Sequence, residues 1–542
     1  MQKAGVTFED ACKEISDNLL SISNPTEKDA KKEVKRICIK YSLERIPRNY
    51  EILAYATGLE YIKLQKALVR KPVKTASGVA VIALMPKPYA CPHGRCSYCP
   101  GGIEFNTPNS YTGREPSTQN AIANSYDPKK QILDKLEHLI AYGHDSTKLE
   151  LVIVGGTFLF MPRSYQIGFI KSCYDALNGF DSPDLETAKK NNEKTNFRNV
   201  GFTIETKPDY CKKEHVDWML EYGVTRVEIG VQSLHERVYD IVNRGHTYKD
   251  VIESFEISKD AGYKIVAHMM PGLPTMTPEE DISDFKKLFS DPELRPDMLK
   301  IYPTLVLEDT PLYSSYKEGR FTPYSDDEMV KVLTEIKKII PRWVRIMRVQ
   351  REISSDQIIA GPKLGNLRQI VQQNLKKQNV SCKCIRCREA GLSENIINID
   401  DIKLHRENYD SSHGQEVFLS YDDSKDRIFG FLRLRKPSDK AHRSEVSGNT
   451  SIVREIHVYG KSLKLGERDQ DSIQHLGLGK NLMSEAEKIS KEEFDSKRLL
   501  VISAVGTREY YRNLGYTQLG PYMSKDLKYW KKTNKLSVEE LG

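Results

Sequence analysis

Three cysteines, Cys91, Cys96 and Cys99, form a C-x4-C-x2-C set inside the stretch YACPHGRCSYCPGGIEFNTPNSYTGREP. Thiolates are the soft ligands that hold iron–sulfur clusters and zinc. A loop this short brings three sulfurs together, and Gly94, Gly101 and Gly102 let its backbone wrap closely. A 4Fe–4S cluster takes four ligands, so three cysteines would leave one iron open to a ligand from outside. A structural zinc is the alternative, with His93 as the fourth ligand. A second set, Cys382, Cys384 and Cys387, reads C-x-C-x2-C. Thiols this close suggest a structural zinc completed from elsewhere, with His405 and His413 as candidates; the alternative is three free thiols in a loop.

The elements that must position the first set begin near residue 75. Short apolar runs at 79–85, 149–154, 200–205, 226–231, 264–270, 298–303 and 344–349 alternate with helical patterns such as 129–142 and 281–290. Such alternation predicts an α/β fold, a parallel sheet curled into a full or partial (β/α) barrel, with its chemistry at the C-terminal strand ends. The first strand ends at the cysteine loop. The next three end at Gly155-Gly156-Thr157, at Glu205 and at Gln232, which become the expected contacts of a small-molecule ligand beside the cysteines. The polar stretch 181–196 reads as a surface insertion.

The last 140 residues change character. Strands are expected at 416–421, 427–434, 453–458 and 499–504. Between the last two, Gln474 to Lys480 reads Q-x-x-G-x-G and opens a helix over 481–493, offering free backbone N–H groups to a pyrophosphate. With TREYYRNLGY downstream, this order resembles the GNAT acetyltransferase fold. That resemblance implies that the strand Glu455, Ile456, His457 and Val458 holds the pantetheine and thioester of acetyl-CoA. It also implies that Leu478, Gly479 and Lys480 hold the pyrophosphate and that Tyr511 reaches the CoA sulfur. Tyr510 is read as aromatic core.

Residues 1–74 read as helical and carry fifteen Lys and Arg against ten Asp and Glu, that is +5 of the net +7. Lys31, Lys32, Lys35, Arg36 and Lys40, followed by Lys71 and Lys74, suggest an RNA-gripping face interleaved with tyrosines; a solvated helix face is the alternative. Ten cysteines, six of them in two tight clusters, suit a reducing compartment and metal work rather than a secreted disulfide scaffold. No apolar run approaches a membrane span and no signal peptide is evident, so a cytoplasmic protein is expected.

Taken together, CPHGRCSYCPGG, SYTGREP, the VGGTF strand end and IVREIHVYG…GLG…VGTREYYRNLGY resemble the family of catalytic third subunits of Elongator. The likeness runs through the whole chain. It implies four parts: a basic tRNA-binding region (1–74), a radical S-adenosylmethionine (SAM) barrel (75–352), a linker with the cysteine motif (353–400) and a GNAT-like domain (401–542). It further implies an enzyme that installs carboxymethyl on C5 of the wobble uridine of tRNA. A 4Fe–4S cluster, SAM, acetyl-CoA and Elongator-type partner subunits or a homodimer come with it, as does an acetyl-CoA contact at Lys148. Two features depart from the pattern: the usual radical-SAM spacing is C-x3-C-x2-C, and not every member keeps the C-x-C-x2-C motif. The rival reading is a protein lysine acetyltransferase using the C-terminal domain alone. That activity needs an acidic or open peptide groove, whereas this chain surrounds its domains with bases.

Overall fold

The computed structural model describes residues 7–43, 45–68, 78–142, 144, 147–390, 399–459 and 477–527. Lys71, Lys74 and the 474–476 part of the glycine loop lie outside them. One seven-stranded sheet runs in chain order through β1 (Ala80–Leu84), β2 (Lys148–Ile153), β3 (Arg198–Thr206), β4 (Arg226–Gln232), β5 (Lys264–Met269) and β6 (Met298–Ile301). A two-residue strand, β7 (Val306–Leu307), steps out of it before β8 (Arg345–Arg348) closes the order; β7 pairs instead with β9 (Ile358–Ala360). Every neighbouring pair in the large sheet is parallel. Strands β1 and β8 are its two edges, so the barrel is partial.

Parallel strands need crossovers, and helices such as Arg163–Asn178, Tyr248–Asp260, Pro278–Ser290 and Asp326–Lys338 supply them. Thr247, Thr277 and Ser325 cap three of these helices through capping boxes, so the sequence marks where each crossover begins. Ile82, Leu151, Ile204, Val227, Ile265, Leu299 and Ile346 are fully buried between sheet and helices.

The second sheet has the order β10 (Lys403–Ser411), β11 (Gly414–Asp422), β12 (Ile428–Lys436), β13 (Thr450–Val458), β14 (Arg498–Val501), β16 (Tyr522–Asp526) and β15 (Thr517–Leu519). It is antiparallel except where β13 runs parallel to β14. The helix Leu478–Glu492 makes that crossover and packs Leu482, Met483, Ala486 and Ile489 on one sheet face. Only Thr450–Val453 of the nine-residue β13 pairs with β14. Beyond them the two strands part, and β13 carries a bulge at Arg454.

The N-terminal helices Phe8–Ser21, Glu27–Tyr41, Asn49–Leu53 and Gly58–Leu68 build their own core around Ile15, Leu19, Ile37, Ile52 and Leu64.

One expectation is corrected and one strand is added. The polar stretch 181–196 is more than a surface insertion, because several of its side chains are buried. It contains the helix Leu185–Asn192, whose Asn192 amide bonds Asn178, Thr195 and Phe197. Glu193, just beyond, pairs with Arg508 at 3.0 Å and Arg512 at 2.6 Å in the C-terminal domain. Strand β10 was not foreseen, because most of its side chains are exposed; backbone pairing with β11 along all nine residues makes it a strand.

The second sheet docks on the barrel through three arginines with at most 1% side-chain exposure. Arg454 reaches Asp297 at 2.6 and 2.8 Å and Glu416 at 2.8 Å. Arg435 reaches Asp260 at 2.6 Å and Glu416 at 3.0 Å. Arg433 reaches the Trp343 carbonyl of the barrel at 2.7 Å and Glu455 of its own sheet at 2.8 Å. Removing one partner of a buried pair strands the other charge, which costs about 3–5 kcal/mol. Arg454→Ala should therefore lower the urea midpoint by that equivalent, whereas Lys31→Ala on the exposed helix face should leave it unchanged; equal midpoints for Arg454→Ala and the parent would refute the assignment.

Candidate active site

The loop after β1 carries Cys91, Cys96 and Cys99 to the C-terminal end of the barrel. Gly101 holds φ +72°, and a Cβ there would lie 2.2 Å from the Tyr111 carbonyl oxygen, so the chain can fold back on itself only with glycine. The three thiols line one cavity together with Asn109, Ser110, Gly156, Thr157, Glu205, Gln232 and Arg244. Four of the five strand-end residues expected beside the cysteines are thus brought to them; Gly155 is adjacent and packs against Pro108.

Each sulfur receives a donor. The Ser110 N–H points at Cys99 Sγ at 3.1 Å, and Asn109 Nδ2 lies 3.3 Å from Cys91 Sγ. Lys207 Nζ donates to His93 Nδ1 at 2.9 Å, which leaves the imidazole proton on Nε2, 3.2 Å from Cys96 Sγ. Burial, with Lys207 and Arg244 beside it, pushes His93 down to about 3, so the ring stays neutral and donates to sulfur. Burial raises the Cys99 thiol to about 11 and pushes the Cys91 thiol up as well, so metal binding would have to displace their protons.

Among the described residues, the donor groups lying within 4.8 Å of one another are Cys382/Cys384/Cys387 and Glu205/Glu228/His268. The first three cysteines are more widely spaced. One tetrahedral zinc at about 2.3 Å per bond would draw its sulfurs to roughly 3.8 Å apart. The wider set suits a multi-iron cluster, whose ligands sit on different metals, and His93 is already committed to Cys96.

Gln232 ends β4 with φ +73°, in a left-handed conformation that is costly for a non-glycine residue. Its buried Oε1 has no hydrogen-bond partner among the described residues. An unmet acceptor facing the cysteine cavity fits a donor such as an amino group on a bound ligand.

Below this cavity the barrel interior is charged. Glu228 accepts from His268 at 2.8 Å and pairs with Lys300, which also reaches Glu205 at 3.3 Å. Burial opposes the charge on Glu228, but Lys300 and His268 outweigh it and hold the carboxylate well below its usual range. The Lys300 ammonium thus pairs with both carboxylates of the Glu205/Glu228/His268 group, while His268 bonds Glu228.

At the opposite, N-terminal ends of the strands lies a second cavity, about 310 Å³. Val81, Glu150, Gly201, Arg226, Lys264 and Arg345 of the barrel form one wall. Glu455, Ile456 and His457 of the second sheet and Tyr511 of the helix Arg508–Asn513 form the other. The edge of β13 that β14 leaves free, at Glu455–His457, therefore opens into this space. The helix after it starts at Gly477 without a side-chain cap, and its first intrahelical bond is Asn481 N–H to Gly477 O at 2.9 Å. The N–H groups of Leu478, Gly479 and Lys480 are left at the helix start. Tyr511 is 6% exposed and Tyr510 42%, the reverse of the core role expected for Tyr510. Lys148 opens β2 two residues before Glu150. Arg226 and Gln232 end the same strand at opposite cavities, six steps or about 20 Å apart.

The Cys382, Cys384 and Cys387 sulfurs converge closely, with Lys337 Nζ 3.6 Å from Cys387. His405 lies on β10 opposite Ser420 and His413 in the following turn, and neither joins the group. On the basic helix, Lys31 pairs with Glu27, Arg36 with Glu33 and Lys40 with Glu14, each within 2.7 Å. Lys32 and Lys35 are exposed. Sequence reasoning missed Lys207, Arg244, Asn109 and Ser110; only the run Asn243-Arg244-Gly245-His246 after β4 carried a signal, a glycine flanked by charge.

Comparison with known proteins agrees with this architecture. The ELP3 N-terminal domain matches residues 8–76, the Radical SAM superfamily residues 85–288 and the Radical_SAM C-terminal domain residues 296–377. A "tRNA uridine(34) acetyltransferase" from Methanocaldococcus jannaschii is 45% identical over 91% of this chain and 93% of its own. The human "Elongator complex protein 3" is 44% identical over 92% and 93%. The solved archaeal Methanocaldococcus infernus Elp3 with an N-terminal deletion superposes with a TM-score of 0.74 at 41% identity, covering 83% of this chain and 99% of that one.

Changing Cys91, Cys96 and Cys99 together to Ala should remove bound iron and the visible absorbance of anaerobically prepared protein. Arg454 and its partners lie elsewhere, so the unfolding midpoint of metal-free protein should hold. Full iron retention in the triple variant would sink the assignment.

Proposed function

From the premise that the chain belongs to the Elp3 family, with a radical SAM barrel and a GNAT-like C-terminal domain, we propose that it installs carboxymethyl on C5 of uridine 34 of tRNA. SAM and acetyl-CoA are the proposed co-substrates. The observation that carries this reading is one barrel with a cysteine cavity at one end and the splayed β13 edge at the other, in a chain 45% identical to a named tRNA uridine(34) acetyltransferase.

When bound, a 4Fe–4S cluster with SAM supplies a 5′-deoxyadenosyl radical, strong enough to break an unactivated C–H bond. The chain's own residues do the rest. Cys91, Cys96 and Cys99 hold the cluster, while Ser110, Asn109 and His93 donate to the sulfurs. Gln232 accepts from the SAM amino group; Gly155, Gly156, Thr157 and Glu205 shape the remaining contacts. At the far end, the β13 amides from Glu455 to Val458 hold the pantetheine and thioester, and the helix start at Leu478, Gly479 and Lys480 takes the pyrophosphate. Tyr511 sits against the sulfur, and Lys148 steers the anionic cofactor. Hydrogen abstraction needs reacting atoms about 3–3.5 Å apart. The two cavities are much further apart, so the acetyl group has to reach the cysteine cavity before its methyl C–H bond breaks. A carbon radical at the acetyl methyl would add to C5 of uracil; restoring the C5=C6 bond then requires loss of the C5 proton to solvent and of one electron, which the cluster, left oxidised by SAM cleavage, would take back, and hydrolysis of the thioester would leave carboxymethyl.

The exposed helix bearing Lys32 and Lys35 grips tRNA, and phosphates replace the weak surface pairs of Lys31, Arg36 and Lys40. Cys382, Cys384 and Cys387 hold a structural zinc. Elongator-type subunits or a second copy complete the assembly in the cytoplasm. No described helix is long and apolar enough to cross a membrane.

Anaerobic incubation with SAM, a reductant, tRNA and methyl-deuterated acetyl-CoA should yield carboxymethyluridine by nucleoside mass spectrometry and deuterium in 5′-deoxyadenosine. Tyr511→Ala and Lys148→Ala should lower both. Product formed with only unlabelled 5′-deoxyadenosine would refute the acetyl methyl as hydrogen donor. For the grip, replacing Lys32 and Lys35 with Ala should weaken tRNA binding and reduce its salt slope by roughly 0.7–0.9 per lost contact. An unchanged affinity and slope would make the helix a solvated face only.

A further inference from the structure

The lower cavity contains a nucleophile that the proposed reaction does not use. Lys264 opens β5 and lines the cavity wall facing β13. Among the described residues no hydrogen bond or ion pair reaches its ammonium, although the bases around it are paired: Arg226 with Glu150, Arg345 with Glu389 and Arg454 with Asp297. The charged and titratable groups around it are Arg226 on β4, Asp297 ahead of β6, Arg345 on β8, and Arg454, Glu455 and His457 on β13. Burial, with Arg226 and Arg454 nearby and only partly offset by Glu455, brings Lys264 down to about 8. His457, kept neutral by burial, stands on the facing wall as a proton acceptor.

We propose that Lys264 is a self-acetylation site, taking the acetyl group from acetyl-CoA docked along β13. This rests on the reading of β13 as the thioester-holding strand. The neutral amine attacks the thioester carbonyl, the N–C bond forms and the C–S bond breaks. CoA leaves as the thiolate and takes up the proton the nitrogen gives up, directly or through His457. The products are acetyl-lysine and CoA thiol, and no oxidant or further reactant is needed. The reasons are positional. A lysine that is easily deprotonated, unpaired and partly desolvated is an activated nucleophile. It lines the same cavity as the strand edge and as Tyr511, where the thioester would sit. Acetylation also removes a cation facing Glu455, which changes the charge of the cavity for the next acetyl-CoA.

The test uses the full chain with 13C-acetyl-CoA and peptide mass spectrometry. Lys264 should be labelled about ten- to a hundredfold faster than exposed lysines such as Lys32, given its lowered pKa against an ordinary value near 10.4. The rate should rise with pH and level off once Lys264 is neutral, above about 8. Glu455→Gln, which removes the carboxylate favouring the charged amine, should shift that rise to lower pH. Lys264→Arg should lose the label at this peptide while still binding CoA. Calorimetric titration of the same sample with CoA separates two failures. If CoA does not bind, the thioester reading falls and takes this proposal with it. If CoA binds but Lys264 stays unlabelled, or label spreads evenly over exposed lysines, the proposal alone is overturned.

Discussion

The arrangement depends on burying three guanidinium groups between the barrel and the second sheet. Arg433, Arg435 and Arg454 have lost nearly all contact with water. Charges in that state are tolerable only with nearly ideal partners. Burial disfavours ionised Asp297, but Arg454 and Arg433 beside it hold its carboxyl far below the usual range. Arg435 and Arg454 are bonded through all three guanidinium nitrogens, and a planar group held in this way leaves little freedom in how the sheets meet. Such an interface adds less stability than an apolar one would, but it fixes one orientation. Arg454 sits at the β13 bulge, so the residue that locks the domains together also marks where β13 leaves β14.

That locking produces two working spaces at opposite ends of one set of strands. The cysteine cavity uses the C-terminal ends, where loops can vary without disturbing the sheet. The lower cavity uses the N-terminal ends, which a solitary barrel would leave to stability alone. It is enclosed because the second sheet is pinned beneath it with the free edge of β13 turned inward. Between the two runs a column of charge, Glu150–Arg226, Glu228–His268–Lys300 and Glu205, where most barrels of this kind pack aliphatic layers.

The strands of the barrel were legible as short Val-, Ile- and Leu-bearing runs alternating with helical patterns, even though Glu150, Glu228, His268 and Lys300 interrupt them with polar groups. The cysteine loop and the strand ends Gly156, Thr157, Glu205 and Gln232 followed from topology. What was not legible had a common cause: it lay in contacts between distant segments. His93 looked like a ligand until Lys207, from the loop after β3, fixed its tautomer. Strand β10 has no apolar alternation to announce it, and the 185–192 helix looked like solvent-facing chain because its burial is made of amide hydrogen bonds. Arg454 interrupts the run Ser451-Ile452-Val453 with a charge that sequence logic would send to solvent, yet it is among the most buried side chains in the protein. Tyr510 and Tyr511 are adjacent and alike; only the turn of a six-residue helix decides which one faces the cavity.

The lysine inside the barrel has one more consequence. Two carboxylates and an imidazole within 4.8 Å of one another make a donor set of the kind that binds ferrous or manganous ions. It sits beneath a loop built to receive iron. Because Lys300 already supplies the positive charge there, an incoming divalent ion would have to displace a tethered ammonium and leave it unpaired in a buried space. The Lys300 ammonium thus already supplies, against Glu228 and Glu205, the positive charge that such a donor set would otherwise take from an ion.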